Sequence, residues 1–265
     1  MAKPLQRALL ITLAILALGF LLLPLLVLVI RAIASQSWSE LPQAGILQAI
    51  LLSILTTLAT VVLTLLFGTP LAYIFARWRF PFRRALNLFV ELPIVLPPAV
   101  AGLALLVTFG RRGALGPSLE TLGITLPFTT AAVVVAQAFV SAPFYIRAAQ
   151  IGFAAVPREI EDAARVDGAA GWALFRRVTL PLAQRALAAG IVLSWARALG
   201  EFGATILFAG SLQGRTQTMP LLIYNVLERD IDASILSGVI LIGMALLALV
   251  VSHWLRREDR HEENW

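Results

Sequence analysis

Residues 8–30 read ALLITLAILALGFLLLPLLVLVI, an uncharged and mostly aliphatic run bounded by Arg7 and Arg31. As a helix the run is about 34 Å long, enough to cross the hydrocarbon core of a bilayer. Ala32-Ile33-Ala34 resembles a cleavage site, but the run is too long for the core of a signal peptide and Arg31 sits beside that site. The whole chain agrees with a membrane reading. Its 265 residues are 59% hydrophobic and 14% charged, with a mean hydropathy of +0.87, where soluble domains carry about 25% charged residues. A water-soluble globular domain is excluded. Six spans of about 20 residues need only about 120 residues, so residues 1–265 are expected to form one transmembrane domain with no second, soluble one.

Working outward, the apolar runs place six helices: 8–30, 46–76, 85–110, 127–146, 186–208 and 231–255. Gly68, Thr69 and Pro70 predict a kink late in the second, and Pro97-Pro98 predict a kink or a gate in the third. Basic residues set the orientation. With the N-terminus in the cytoplasm, fifteen Lys and Arg fall on the inner side and five on the outer (Arg31, Arg111, Arg112, Arg215, Arg229), with Arg197 inside the bilayer. The positive-inside rule then puts both termini in the cytoplasm and turns the excess charge toward anionic lipid. The pI near 10.9 therefore needs no nucleic acid to explain it.

Single residue types remove whole classes of chemistry. Lys3 is the only lysine, so a P-loop, a Schiff-base lysine and a Ser-Lys dyad are excluded from the interior of the chain. The absence of cysteine removes thiolate metal sites and thiol nucleophiles. His253 and His261 both lie near the C-terminal end, which leaves no HExxH helix or Ser-His arrangement. No enzyme, metal site or bound cofactor is expected, and any ATP chemistry belongs to another polypeptide. Glu228, Asp230 and Asp232 make a poor calcium loop and read as solvated charge near a helix start.

The most informative polar stretch is 147–185. Pro157 followed by Arg158-Glu159-Ile160-Glu161-Asp162 predicts a helix start, with acids at the positive end of the dipole and Gly168 at its end. A second short helix is expected at about 170–177, and Pro181 at the start of the fifth span. Asp162-Ala163-Ala164, three residues, Gly168, nine residues and Val178-Thr179-Leu180-Pro181 resemble the EAA loop of ATP-binding-cassette importer permeases. Aspartate stands for the motif's glutamate, with Glu161 just before it, and valine stands for isoleucine. The resemblance implies a coupling helix that docks on a cytoplasmic ATPase through Glu161, Asp162, Ala163, Ala164, Gly168, Leu180 and Pro181, and it leaves open which carboxylate makes the contact.

In the fifth span Ser194, Arg197, Glu201 and Thr205 recur at helical spacing and predict one polar stripe. Two readings stay open: a structural ion pair, or a pathway lining in which Arg197 offsets the charge of an anion. The run 199–206, LGEFGATI, its continuation through 214–220, GRTQTMP, and Leu92-Pro93-Ile94-Val95-Leu96-Pro97-Pro98 with Gly102 resemble the molybdate and sulfate branch of that importer family, the molybdate members most closely. The resemblance implies an all-α, six-span type I permease (MetI-like). It also implies a homodimer, two ATPase subunits that hold ATP and magnesium, and an external oxyanion-binding protein. The segment 210–229 is polar and available to such a delivery protein. A sulfate or thiosulfate permease, a proton-linked secondary transporter using Arg197 and Glu201, and a membrane scaffold are the alternatives.

Overall fold

The computed structural model describes residues 4–35 and 43–258. Lys3, Arg260 and His261, used above for orientation and exclusion, lie outside them. The described chain is helical: α1 (Pro4–Ala34), α2 (Gln43–Arg77), α3 (Arg83–Val95), α4 (Pro98–Phe109), α5 (Gly116–Thr121), α6 (Thr130–Ala155), α7 (Arg158–Val166), α8 (Gly171–Leu174), a π turn (Phe175–Thr179), α9 (Leu180–Leu199), α10 (Gly203–Phe208), α11 (Met219–Leu227) and α12 (Ile231–Glu258). Among the described residues four helices are long and apolar enough to cross a membrane, and five if the bent pair α3–α4 counts as one; Ile231–Leu247 is a shorter apolar helix.

α6 is the hub, packed against α2 on one side and α9 on the other. Small residues make the close approach possible, as expected where lipid supplies no hydrophobic drive between helices. Ala132, Val133 and Ala136 of α6 meet Ala101, Leu105, Ala204 and Phe208 in one cluster. Further along, Tyr145, Ile146, Ala149 and Phe153 meet Ala72, Ala183 and Leu187 in a second. Hydroxyls stitch the same helices together: Thr60 Oγ1 donates to Gln137 Oε1 at 3.2 Å, and Trp195 Nε1 donates to Thr57 Oγ1 at 3.1 Å. α1 is exposed along most of its length, with Ala32 buried, and packs along α12.

The second expected span runs as α2, helical through Pro70 to Arg77. Three expected spans are corrected. The third is two helices: Pro98 has no N–H to continue α3, Leu96 turns extended, and α4 departs at 115°. The fourth starts at Thr130, where Thr129 Oγ1 accepts from the Ala132 N–H at 3.2 Å, and runs nine residues beyond Ile146. Arg147 therefore lies inside a helix, paired with Glu91 of α3, and the expected loop 147–185 begins only after Ala155. The fifth span is already helical from Gly171 and ends at Leu199, short of 208. Of the acids after α11, Asp230 caps α12: its Oδ1 accepts from the N–H groups of Asp232 and Ala233 at 2.9 and 3.0 Å.

The break before α4 meets the break before α10. A Cβ on Gly203 would stand 2.6 Å from Pro98 Cβ, and one on Gly102 would stand 2.8 Å from the Ala204 carbonyl oxygen and 2.9 Å from its Cα. No methyl group fits against that backbone. Gly102→Ala is expected to lower stability by about 1–3 kcal/mol through overpacking, read as an earlier thermal transition in detergent. Gly19→Ala is the contrast: nothing lies within 4 Å of its Cβ, and alanine in a helix interior should hold or raise stability by about 0.5–1 kcal/mol.

Candidate functional site

α7 is built as its sequence predicts. Pro157 occupies the position before the helix with extended backbone, and Glu159 and Glu161 fall in the first turn. Its end is a complete Schellman motif: Gly168 adopts φ +89°, its N–H donates to the Arg165 carbonyl at 3.0 Å, and the Ala169 N–H donates to the Ala164 carbonyl at 2.9 Å. Leu180-Pro181 does not turn the chain, because the helix has been running since Gly171. Pro181 cannot donate to the carbonyl four residues back, and a π turn precedes it, with the Leu180 N–H reaching the Phe175 carbonyl.

The two carboxylates of the motif separate. Glu161 is buried and faces its own protein: its Oε1 accepts from Arg77 Nη2 at 2.9 Å and from Thr179 Oγ1 at 2.7 Å, while Arg165 Nη2 stands 3.9 Å from Oε2. The same Arg77 nitrogen donates to the Val156 carbonyl at 3.1 Å. One carboxylate thus ties α7 to the end of α2, to the turn after α6 and to the start of α9. Asp162, 68% exposed, pairs only with Arg165. Outward from the helix hairpin stand Ile160, Ala163, Val166 (88% exposed) and Trp172 (71% exposed), with Ala164 half-buried. Beneath them Tyr73 makes edge contacts with Phe153 and Phe175 at 5.5 and 5.2 Å, and Phe175 stacks under Trp172 at 5.3 Å, which braces the hairpin against α2 and α6.

The expected polar stripe is not on one helix. α9 stops at Leu199, so Arg197 sits in its last turn and Glu201 in the break that follows. Glu201 Oε1 accepts from the Ala204 N–H at 2.8 Å, capping α10, and Oε2 lies 2.7 Å from Arg197 Nη1 as an ion pair. Glu201 is 1% exposed and Arg197 28%. Ser194 and Thr205 are buried, so three of the four residues face protein. Pro97 and Pro98 stand at the α3–α4 break, and Pro98 abuts Gly203. The polar segment after α10 also folds inward: Thr216, Gln217 and Thr218 are buried, and Thr216 Oγ1 bonds the Leu212 N–H and the Gly210 carbonyl.

Sequence reading missed Arg77 and Thr179, which contact Glu161 across 84 and 18 residues of chain. It also missed the buried run Ser53, Thr56, Thr57, Thr60 and Thr64 on α2. The run had a signal, since hydroxyls at i, i+3, i+4, i+7 and i+11 share one helix face.

The fold is similar to that of a bacterial ABC transporter involved in the import of the acidic polysaccharide alginate (TM-score 0.73, 21% identity, covering 97% of this chain and 95% of that one). It is also similar to the inward-facing MetNI methionine ABC transporter (TM-score 0.63, 17% identity, 84% and 98%). Residues 68–258 match the model of the family described as binding-protein-dependent transport system inner membrane component, and the chain belongs to that family. The molybdenum transport system permease protein ModB of Mycobacterium bovis is 41% identical over 237 residues, covering 89% of this chain and 90% of that one. The ModB of Escherichia coli K12 is 39% identical, covering 80% and 94%. The sulfate transport system permease protein CysW of the same strain is 35% identical, covering 84% and 77%. These relatives are all permease proteins by name.

Removing one partner of a buried ion pair leaves an uncompensated charge, at about 3–5 kcal/mol. Glu161→Ala is therefore expected to destabilise by about that much, and the double change Arg77→Leu with Glu161→Leu by less than the single one. Asp162→Ala, at an exposed pair, should stay within about 1 kcal/mol of the parent. Thermal unfolding of the parent and the three variants measures all three.

Proposed function

We propose that the chain is the transmembrane permease subunit of an ATP-driven importer that moves molybdate, or tungstate, across the prokaryotic cytoplasmic membrane by alternating access. Identity of 41% over 89% of the chain with a molybdenum permease carries this reading. The 35% identity with a sulfate permease keeps sulfate as the second one.

In the working form two copies combine with two cytoplasmic ATPase subunits, which hold ATP and magnesium, and receive the oxyanion from an external binding protein. α12 completes a sixth span and both termini lie in the cytoplasm, as the charge distribution favours. The coupling surface is the outward face of α7 and α8. Ile160, Ala163, Val166 and Trp172 fill a cleft on the ATPase, and Asp162 is the carboxylate that reaches the partner, since Glu161 is committed internally. Gly168 supplies the turn that exposes this face. Closure of the ATPase dimer on ATP displaces α7. Through Glu161 the displacement reaches Arg77 of α2 and Thr179 at the base of α9 as one unit, and hydrolysis returns it. At the other end of α9, the Arg197–Glu201 pair fixes the corner into α10, and Pro97-Pro98 with Gly203 form the joint where the bent helices shift. The pair is positional: Glu201 caps α10 at 1% exposure, and an unpaired Arg197 would cost about 2.5–3.5 kcal/mol in the membrane. Such alternation requires that ATP and the loaded binding protein favour different states.

Reconstitution of the permease with its ATPase and oxyanion-binding protein tests the reading, with ATP hydrolysis followed as each anion is added. Molybdate and tungstate are expected to stimulate; stimulation by sulfate alone would overturn the assignment. Val166→Glu, on a side chain 88% exposed, should cut the stimulation at least about tenfold, since a buried unpaired charge at an interface costs more than about 1.4 kcal/mol, with an unchanged thermal transition.

A further inference from the structure

We propose that the turn between α2 and α3 is a binding site for the phosphate headgroup of an anionic phospholipid. Arg79, Arg83 and Arg84, with Asn87, Phe80 and Phe82, line an open cavity of about 560 Å³. No carboxylate lines it. Among the described residues none of these three guanidinium groups has an ion-pair or hydrogen-bond partner, whereas Arg77, Arg147, Arg165 and Arg197 are each paired with an acid. Arg83 and Arg84 fall in the first turn of α3, which contains no acid and where the helix dipole disfavours cations. The positive charge is thus concentrated and left uncompensated by the chain.

Guanidinium groups bind phosphate oxygens bidentately, and three of them with an amide donor suit a phosphate monoanion or diester. The surroundings choose the source of that phosphate. The cavity lies where the apolar run of α2 ends at Arg77, the level at which headgroups begin. Trp78 is 58% exposed and Phe82 81%, the latter held out by a left-handed backbone at φ +63° that a side chain rarely adopts. Leu88 and Phe89 continue the exposed apolar surface along α3. Aromatic rings at a membrane boundary flank acyl chains and glycerol, which a soluble phosphate lacks. The proposal is independent of the transported anion.

The full-length permease is equilibrated with phosphatidylcholine vesicles doped with phosphatidylglycerol, extracted gently, and its retained lipid counted by native mass spectrometry. Phosphatidylglycerol is expected to be enriched on the parent chain, and Arg79→Gln/Arg83→Gln/Arg84→Gln to lower its retention at least about fivefold. A second triple variant, Arg111→Gln/Arg112→Gln/Arg229→Gln, removes the same charge elsewhere and should retain the lipid as the parent does. Should the first triple variant fail to fold, Arg79→Gln alone is expected to lower retention about threefold, a loss of about 0.65 kcal/mol at 1.4 kcal/mol per tenfold. Equal retention by parent and variant, an equal loss in the control, or displacement of the lipid by inorganic phosphate would each overturn the proposal.

Discussion

One buried carboxylate holds the working parts of this chain in register. Glu161 is 84 residues from Arg77 and 18 from Thr179 in sequence, yet all three meet at hydrogen-bonding distance with the carboxylate buried. Removing a charge from water is expensive, and the arrangement is tolerable because Oε1 is doubly satisfied and Arg77 also serves the Val156 carbonyl. The geometry links three helix ends that would otherwise touch only through apolar side chains, which can slide. A hydrogen-bonded ion pair cannot slide without breaking, so the contact fixes the position of α7 against the ends of α2 and α9.

The opposite end of the bundle is organised by interruption. In lipid every backbone N–H and C=O needs a partner, so helix breaks survive only where protein supplies one. Glu201 supplies it at the α9–α10 break by accepting from the Ala204 N–H. At the α3–α4 break proline removes the donor that would have been orphaned. The two breaks sit against each other at Gly203 and Pro98, so two interruptions of regular backbone share one contact. Function in such a chain then depends on where regular structure is allowed to fail.

The legible features were local ones. Apolar runs located the long helices, and Pro157, the acids behind it and Gly168 located α7 nearly to the residue, since capping is written in adjacent positions. The limits of the runs were misread where charge was taken as a helix boundary. Arg147 lies inside α6 and pairs with Glu91, and the helical run that ends as α9 begins at Gly171 and crosses Arg176, Arg177 and Arg185. The 115° bend was read only as a kink, since Pro97-Pro98 announces a break without stating its angle. Glu161 was recognised as belonging to the motif, but its partners are distant in the chain. Only the three-dimensional structure could show that Glu161 faces inward while Asp162 faces out.

α1 stands apart from all of this. Its side chains face outward along almost the whole helix, Ala32 is buried, and its main neighbour is α12. Packing within its own chain therefore contributes little to its place. Its stability is in effect a partition coefficient, set by the match between a 31-residue helix and the thickness of the host bilayer. The rest of the molecule answers to its own interior; α1 answers to the composition of the membrane in which the cell happens to keep it.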